Sequence, residues 1–423
     1  MKINYYLVGL IFLTFFVISF ITNILGALNP GIIKSFRLSL TYSAFLPFAF
    51  FIAYGVMSIP AGMLVEKFKE KRIIISAFIV AFMGALLFSI FPSYSVFIPS
   101  LFLMGSGMAM LQVAINPLLR VSGGEKHFAF NSVMAQLIFG GASFAAPIFL
   151  SYLILKINDN EPSAAKGIFI KIVPVDLPWI SLYWIFSLIL LLMVFITLVS
   201  KFPEVRRKED EKSGTWSAHK SLFKQKIIIL YFIGIFSYVG TEQGVSYWLS
   251  EFLHRYYGYD PITTGAPVVG WFWGMMSVGC LFGLLLLKLF DARKILMGAV
   301  ISAAAFLSLS LFTNGKIALI TFPLVGFSLS VMWSIIFSLA LNSVESHHGS
   351  FAGILCTAII GGAVIQLFIG WLGDLFGLRA GMSFIYATLS YIFFIGIWAN
   401  PIIVNETIKL KDLVSKKKFS EHI

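Results

Sequence analysis

Twelve apolar segments, each about as long as a bilayer-crossing helix, constrain most strongly what this chain can fold into. Only 12% of its 423 residues are charged, whereas soluble domains average about 25%. The pattern predicts an all-α integral membrane protein with twelve transmembrane helices. The predicted segments are 5–33, 42–65, 73–92, 95–119, 128–155, 178–200, 225–253, 262–289, 294–313, 316–343, 350–373 and 379–403.

The positive charges are divided unequally between the loops. If both termini are cytoplasmic, 23 of the 31 lysine and arginine residues fall on the cytoplasmic side and 8 on the other. Cytoplasmic loops of membrane proteins carry such an excess. We therefore expect a multi-pass protein of the cell (inner) membrane with both termini cytoplasmic. The net charge of +12 is then explained by these loops, and we expect no nucleic-acid partner.

The chain divides into two similar halves. A shift of 221 residues places Arg72 on Arg293, and the same shift places Gly140-Gly141-Ala142 on Gly361-Gly362-Ala363. Transporters built from such repeats bind substrate near the bilayer midplane and alternate access by moving one half against the other. The predicted parts are an N-terminal six-helix half at 1–200, a cytoplasmic linker at 201–224, and a C-terminal half with a short basic tail at 225–423.

A loop motif between the second and third segments points to a family. The run Gly62-Met63-Leu64-Val65-Glu66-Lys67, followed by Lys71-Arg72, resembles the helix 2–3 motif of the major facilitator superfamily. The resemblance implies that Gly62 allows close helix approach and that Glu66, Lys67 and Arg72 lock a cytoplasmic gate. Glu66 stands for the usual Asp, and Lys69 replaces the usual Gly.

A related pattern lies in the eleventh segment. Gly370-Trp371-Leu372-Gly373-Asp374 is followed by Gly377 and Arg379. The corresponding loop of the second repeat, in contrast, has Leu287 in place of the acid. Only the first of the two repeat-related loops therefore carries the complete charge pattern.

Four longer runs resemble the fucose/glucose/galactose:proton symporter family and cover both halves. They are 53–62, 111–117, 238–242, and 336–341 continued by 356–363. The resemblance implies a sugar permease driven by a proton gradient or, in some relatives, a sodium gradient. Gly26 replaces an acid of the family, and Gln112 stands where the fucose members have Glu. The resemblance therefore does not imply that fucose is the substrate or that the first helix couples transport to protons.

A sugar site needs side chains that both donate and accept hydrogen bonds, together with an aromatic face for the C–H side of the ring. Asn and Gln amides supply both functions in one side chain. For each amide the alternative is an interhelical hydrogen bond, worth up to about 1–2 kcal/mol; for each Trp it is the interfacial aromatic belt. The predicted substrate-binding residues are Asn23, Gln112, Gln136, Glu242, Gln243, Trp273, Trp333 and Gln366.

Glu242 is the candidate for ion coupling, because it lies near the middle of the apolar run from Ile227 to Phe252. A carboxylate at that depth costs about 2.5 kcal/mol or more unless it faces a partner or a wet cavity. Burial favours the neutral form of a carboxyl group, so we predict that this residue carries the transported proton. A structural acid, a sugar ligand, and a cation ligand in a sodium-coupled or uncoupled facilitator are the alternatives.

The sequence lacks the motifs of several other function classes. The chain has no P-loop, no H-E-x-x-H and no Cys/His cluster, so we expect no enzyme and no metal site. An efflux carrier or a transporter-derived sugar sensor remains open. We expect a small-molecule sugar substrate, surrounding membrane lipid, a proton or sodium gradient as the driving force with no bound cofactor, and a monomer.

Overall fold

The computed structural model describes residues 4–123, 128–159, 167, 172–174, 176–203, 220–344 and 348–402. Within these residues, twelve helices are long and apolar enough to cross a membrane, as predicted. In chain order, α1 to α12 are Tyr5–Phe36, Leu40–Phe68, Glu70–Ile90, Tyr94–Gly123, Asn131–Asn158, Pro178–Val199, Lys226–Tyr257, Pro261–Leu289, Ala292–Phe312, Gly315–Leu341, Gly349–Phe376 and Leu378–Trp398. Most of the predicted linker at 201–224 and nearly all of the basic tail lie outside the described residues.

The apolar sequence explains why these segments are helical. Lipid offers no hydrogen-bond partners, so a spanning backbone must satisfy its own N–H and C=O groups within the helix. An even number of crossings places the start of α1 and the end of α12 at one face, called here the terminal face. The other is the opposite face. Glu242 lies midway along α7, as far from one face as from the other.

Helices α1 and α10 are broken near the bilayer midplane, and α11 contains a 3₁₀ segment at Ala358–Ile360. Helix α1 ends its first part at Thr22 and resumes at Leu25, so that Asn23 occupies the break. Helix α10 is broken in the same way between Leu329 and Met332. Irregular backbone at membrane depth is tolerated where it is buried in protein or lines a cavity, and transporters use it to form sites.

The two halves pack closely at two glycines on the side of the opposite face. A Cβ atom on Gly26 of α1 would lie 2.2 Å from the carbonyl oxygen of Ser246 in α7. A Cβ atom on Gly370 of α11 would lie 2.7 Å from the carbonyl oxygen of Leu40 in α2. These contacts bring backbone against backbone between the halves. The absence of a side chain at Gly26 therefore permits the α1–α7 contact, and the family's usual acid could not occupy that position in this arrangement.

Two connections between helices share an unusual backbone conformation. Lys69, between α2 and α3, has φ 68° and ψ 158°. Gly377, between α11 and α12, has φ 87° and ψ 151°. This region of backbone space is nearly restricted to glycine. The family's usual glycine at the first turn thus has a physical reason, and this chain places a lysine there under strain.

Candidate functional site

Glu242 is the centre of a hydrogen-bonded cluster between the halves. The Tyr238 hydroxyl, one helical turn away on α7, donates to Glu242 Oε1 at 2.7 Å. The Gln243 amide nitrogen lies 3.4 Å from Glu242 Oε2. Glu242 is half-buried, whereas its neighbours Thr241 and Gln243 are buried. Its carboxyl group therefore has specific partners on its own helix.

The cluster continues into the N-terminal half through α1. Gln243 Nε2 lies 3.5 Å from Asn23 Oδ1, and Asn23 Nδ2 donates to Ser143 Oγ of α5 at 2.8 Å. Ser143 in turn donates to the carbonyl oxygen of Phe139 at 3.1 Å. Asn23 and Ser143 are both buried. Three of the predicted site residues, Asn23, Glu242 and Gln243, are thus brought together across the interface of the halves.

An aromatic surface adjoins the acid. The rings of Tyr238 and Trp333 lie 6.0 Å apart with a tilt of 55°, and Trp333 stacks on Phe337 at 5.8 Å. Trp333 is half-buried. Aromatic faces of this kind suit the C–H side of a sugar ring, and Tyr238 connects them to Glu242.

Several buried polar groups have no hydrogen-bond partner within the described residues. They include Trp273 Nε1 and both amide atoms of Gln366. Gln366 is only 1% exposed. A buried polar group without a partner costs about 1–3 kcal/mol, so each of these is a candidate to bond water or substrate.

None of the described hydrogen bonds joins the remaining predicted amides to the cluster. Gln112 is half-buried on α4, and its carbonyl oxygen accepts from Asn116 Nδ2 at 3.1 Å. Gln136 is exposed on α5. Their roles in substrate binding, like that of Gln366, stay predictions.

The predicted gate residues occupy the terminal end of α2 and the start of α3. Gly62 is buried, whereas Glu66, Lys67 and Arg72 are exposed. The Lys67 ammonium lies 5.3 Å from the ring centroid of Phe68. Their role as a gate also stays a prediction.

The halves are joined by hydrogen bonds at the opposite face. The carboxylate of Asp374, near the end of α11, accepts from the backbone N–H groups of Leu40 and Thr41 at 2.9 and 2.8 Å. These N–H groups begin α2, where a helix offers unpaired donors and a positive dipole end. Asp374 therefore caps a helix that belongs to the other half.

A second connection lies deeper, between α1, α2 and α7. The Tyr247 hydroxyl donates to the Ser43 carbonyl oxygen at 2.7 Å, and Ser43 Oγ donates to Asn29 Oδ1. Asn29 Nδ2 completes the connection at 3.3 Å from the Tyr247 carbonyl oxygen. All three side chains are buried. Together with Asp374 they join the two halves on the side of the opposite face.

Sequence reasoning missed Tyr238 and Ser143 as members of the cluster. Tyr238 could have been found, because residues four apart share a helix face and it precedes Glu242 by four. Ser143 gave no such signal, since its contact with Asn23 depends on how α1 packs against α5. Asp374 was part of a recognised pattern, but its partner in the other half was not predictable.

The comparisons with known proteins agree with this architecture. Residues 11–359 match the model of the Major Facilitator Superfamily. The chain belongs to the major facilitator superfamily. Proteins of this superfamily are transporters, which agrees with the expectation that the chain is not an enzyme.

Curated relatives extend over most of the chain. A glucose/galactose transporter of Brucella abortus biovar 1 (strain 9-941) is 32% identical over 394 residues, which cover 91% of this chain and 92% of that protein. An L-fucose-proton symporter of Escherichia coli (strain K12) is 26% identical over 382 residues, 86% of each chain. The resemblance to the fucose/glucose/galactose:proton symporter family is thereby confirmed.

Solved structures confirm the fold. The E. coli fucose:proton symporter in its outward conformation superposes with a TM-score of 0.66 at 24% identity, covering 93% of this chain and 98% of that one. A bacterial homologue of the human lysosomal transporter Spinster, inward-facing and unoccupied, gives a TM-score of 0.74 at 16% identity, covering 93% and 96%.

Proposed function

We propose that this chain imports a hexose-like sugar together with a proton, by alternating access, with Glu242 as the proton carrier. The observation that carries the proposal is the midplane cluster in which Glu242 contacts Tyr238 and Gln243 of its own helix and Gln243 contacts Asn23 of the other half. The names of the curated relatives, glucose/galactose transporter and L-fucose-proton symporter, support both the sugar class and the proton.

The chemistry of the cluster supports a neutral polyhydroxylated substrate. Amides and hydroxyls at the helix break can each donate to or accept from sugar hydroxyls. Trp333 offers an aromatic face to the less polar side of the ring. Asn23, Gln112, Gln136, Gln243, Trp273 and Gln366 complete the proposed set of substrate contacts.

Glu242 suits a proton better than a sodium ion as the driving ion. Tyr238 donates a hydroxyl proton to one carboxyl oxygen, and the Gln243 amide nitrogen faces the other. Sodium requires several oxygen ligands, whereas both of these neighbours present hydrogens to the acid. We place the protein in the inner membrane as a monomer with cytoplasmic termini, so that the terminal face is the inner one.

A counterflow assay in proteoliposomes tests the substrate. Vesicles loaded with unlabelled glucose, galactose or fucose should take up the matching labelled sugar transiently, without any ion gradient. The same sugar should raise the unfolding temperature of the purified protein in proportion to its occupancy. Counterflow with none of the three sugars, and no thermal shift, would contradict the proposed substrate class.

Substitution of Glu242 tests the coupling. Glu242→Gln should retain counterflow but fail to accumulate sugar against its gradient when an inward proton gradient is imposed. Glu251→Gln is the matched control, because Glu251 is a buried acid of the same helix whose partner is the local Arg255, at 2.5 Å. If Glu242→Gln accumulates sugar with unchanged pH dependence, or if accumulation follows sodium instead, the coupling proposal is wrong.

A further inference from the structure

The amide of Gln243 is shared between two acceptors that belong to different halves. Its nitrogen lies 3.4 Å from Glu242 Oε2 in its own helix and 3.5 Å from Asn23 Oδ1 in α1. Both distances are about half an ångström longer than the usual 2.9–3.0 Å of an N–H···O hydrogen bond. The NH2 group has two hydrogens and can donate one to each acceptor, but both bonds are long, so a shift of the nitrogen toward one acceptor weakens its bond to the other.

The orientation of Asn23 is fixed from the other side. Its amide nitrogen donates to Ser143 Oγ at 2.8 Å, so its carbonyl oxygen is left facing Gln243. Ser143 is itself held by the Phe139 carbonyl oxygen and contacts Ser19 of α1. Without Ser143 the Asn23 amide could flip, and its NH2 group would then face the NH2 group of Gln243. Ser143 thus determines whether Asn23 presents its amide oxygen or its amide nitrogen to Gln243.

The charge on Glu242 decides how the shared amide is divided. Hydrogen bonds to an ionised acceptor are roughly twice as strong as neutral ones. The ionised carboxylate therefore draws the Gln243 amide toward Glu242, and a neutral carboxyl group releases the amide toward Asn23. Tyr238 of the same helix and Cys280 of α8 are the titratable side chains that the described contacts place beside Glu242.

The bridge adjoins the closest contact between α1 and α7. Gly26 follows Asn23 by three residues and Ser246 follows Gln243 by three, and these two form the backbone contact described above. Tightening the Asn23–Gln243 bridge therefore draws together the same two helices that close the opposite face. Each end of the bridge is buried, so a small displacement is transmitted to neighbouring side chains.

We propose that Gln243 is a positioning residue that relays the protonation of Glu242 to Asn23, with Ser143 holding Asn23 in the receiving orientation. Protonation frees the Gln243 amide to bond Asn23 and favours closure of the opposite face; deprotonation withdraws it and favours opening. The relay rests on the proposed function, because it assumes that Glu242 gains and loses a proton during sugar transport.

Gln243→Met tests the relay, since methionine has a similar length and shape but no amide. Because Gln243 is also a proposed substrate contact, counterflow of the variant is the baseline, and we expect the ratio of proton-driven accumulation to counterflow to fall about tenfold or more, as for the loss of a hydrogen bond to a charged group. Accumulation at the wild-type level would overturn the relay. Loss of both counterflow and sugar-induced thermal stabilisation would also overturn it, by making Gln243 a substrate contact only.

Ser143 supplies a second, independent test. Ser143→Ala should reduce driven accumulation about threefold to tenfold without a matching loss of counterflow, and Ser143→Thr should restore it because the hydroxyl is retained. Ser187→Ala is the control, since Ser187 is a buried serine with only a local bond to the Tyr183 carbonyl oxygen. Equal effects of alanine at both serines would overturn the role of Ser143. Wild-type protein without counterflow would instead refute the proposed function itself.

Discussion

The connections between α2 and α3 and between α11 and α12 are built on one plan at opposite faces of the membrane. Each connection has a glycine, an acid four residues after that glycine, a residue with positive φ seven residues after it, and a base nine residues after it. These are Gly62, Glu66, Lys69 and Lys71 in the first and Gly370, Asp374, Gly377 and Arg379 in the second.

In both connections the base anchors the turn to its own half. Lys71 Nζ donates to the carbonyl oxygens of Leu198 and Ser200 at the end of α6, at 2.8 Å each. The Arg379 guanidinium lies 4.5 Å from the ring centroid of Tyr256 in α7. The turns are thus rigidly attached to their halves, so the acid four residues after the glycine is carried with the half as it moves.

The difference lies in the acids and in the positive-φ residues. Asp374 accepts from the backbone N–H groups that begin α2 in the other half, and Glu66 lies at the terminal end of that same helix; both acids are exposed. Gly377 adopts its conformation without strain, and Lys69 does not. The opposite face therefore has an unstrained turn and a cross-half carboxylate, and the strained turn lies at the terminal face.

The largest expected effect comes from the glycine of the second turn. In Gly370→Ala the new Cβ would lie 2.7 Å from the Leu40 carbonyl oxygen and 2.9 Å from the Ala44 Cβ. Overpacking of this kind costs about 3 kcal/mol, enough to shift a two-state equilibrium by about a hundredfold. Spin labels at the opposite-face ends of α2 and α11 should move apart. Gly298→Ala is the control, because a Cβ atom at Gly298 would have no neighbouring atom within 4 Å. An unchanged distance between the labels in Gly370→Ala would contradict the proposed difference between the two connections.

Loss of the cross-half carboxylate should have the next largest effect. Asp374→Ala removes two hydrogen bonds that an exposed carboxylate accepts from helix donors, so we expect the contact between the halves to weaken by about 0.5–2 kcal/mol, or about twofold to thirtyfold. The same label pair measures it. Asp260→Ala is the matched control, because Asp260 caps Ile262 and Thr263 within its own half, at 3.0 and 2.7 Å. Equal shifts in both variants would show that Asp374 has no special role between the halves.

The smallest effect concerns the strained turn. Lys69→Gly should stabilise the protein by about 1 kcal/mol, because glycine adopts φ 68° without a Cβ clash. Thermal unfolding in one detergent measures the change, and Lys69→Ala should give no such gain because it keeps the strain. Gly377→Ala should change the unfolding temperature in the opposite direction. A destabilised Lys69→Gly would mean that the lysine side chain outweighs the strain.

Much of the fold could be predicted from the sequence, because apolar length determines where a helix can cross a bilayer. The second segment, predicted at 42–65, is Leu40–Phe68, a difference within the fraying of helix ends. The break at Asn23 was not predicted, since the run on both sides is apolar. Hydropathy alone cannot show where a helix is discontinuous.

The site was predictable where one helix supplies it and not where two helices meet. Glu242 and Gln243 follow from the cost of polar groups in an apolar run. The partners Ser143 and, for Asp374, the start of α2 depend on interhelical packing. A single sequence carries little information on such pairings.

Proton movement driven by sugar tests the central claim most directly. Addition of the transported sugar to wild-type proteoliposomes, with no ion gradient imposed, should carry protons inward and make the external medium more alkaline. Glu242→Gln should show no such change while still exchanging labelled sugar. A wild-type protein that exchanges sugar without moving protons, or a Glu242→Gln variant that moves them as wild type does, would contradict the account.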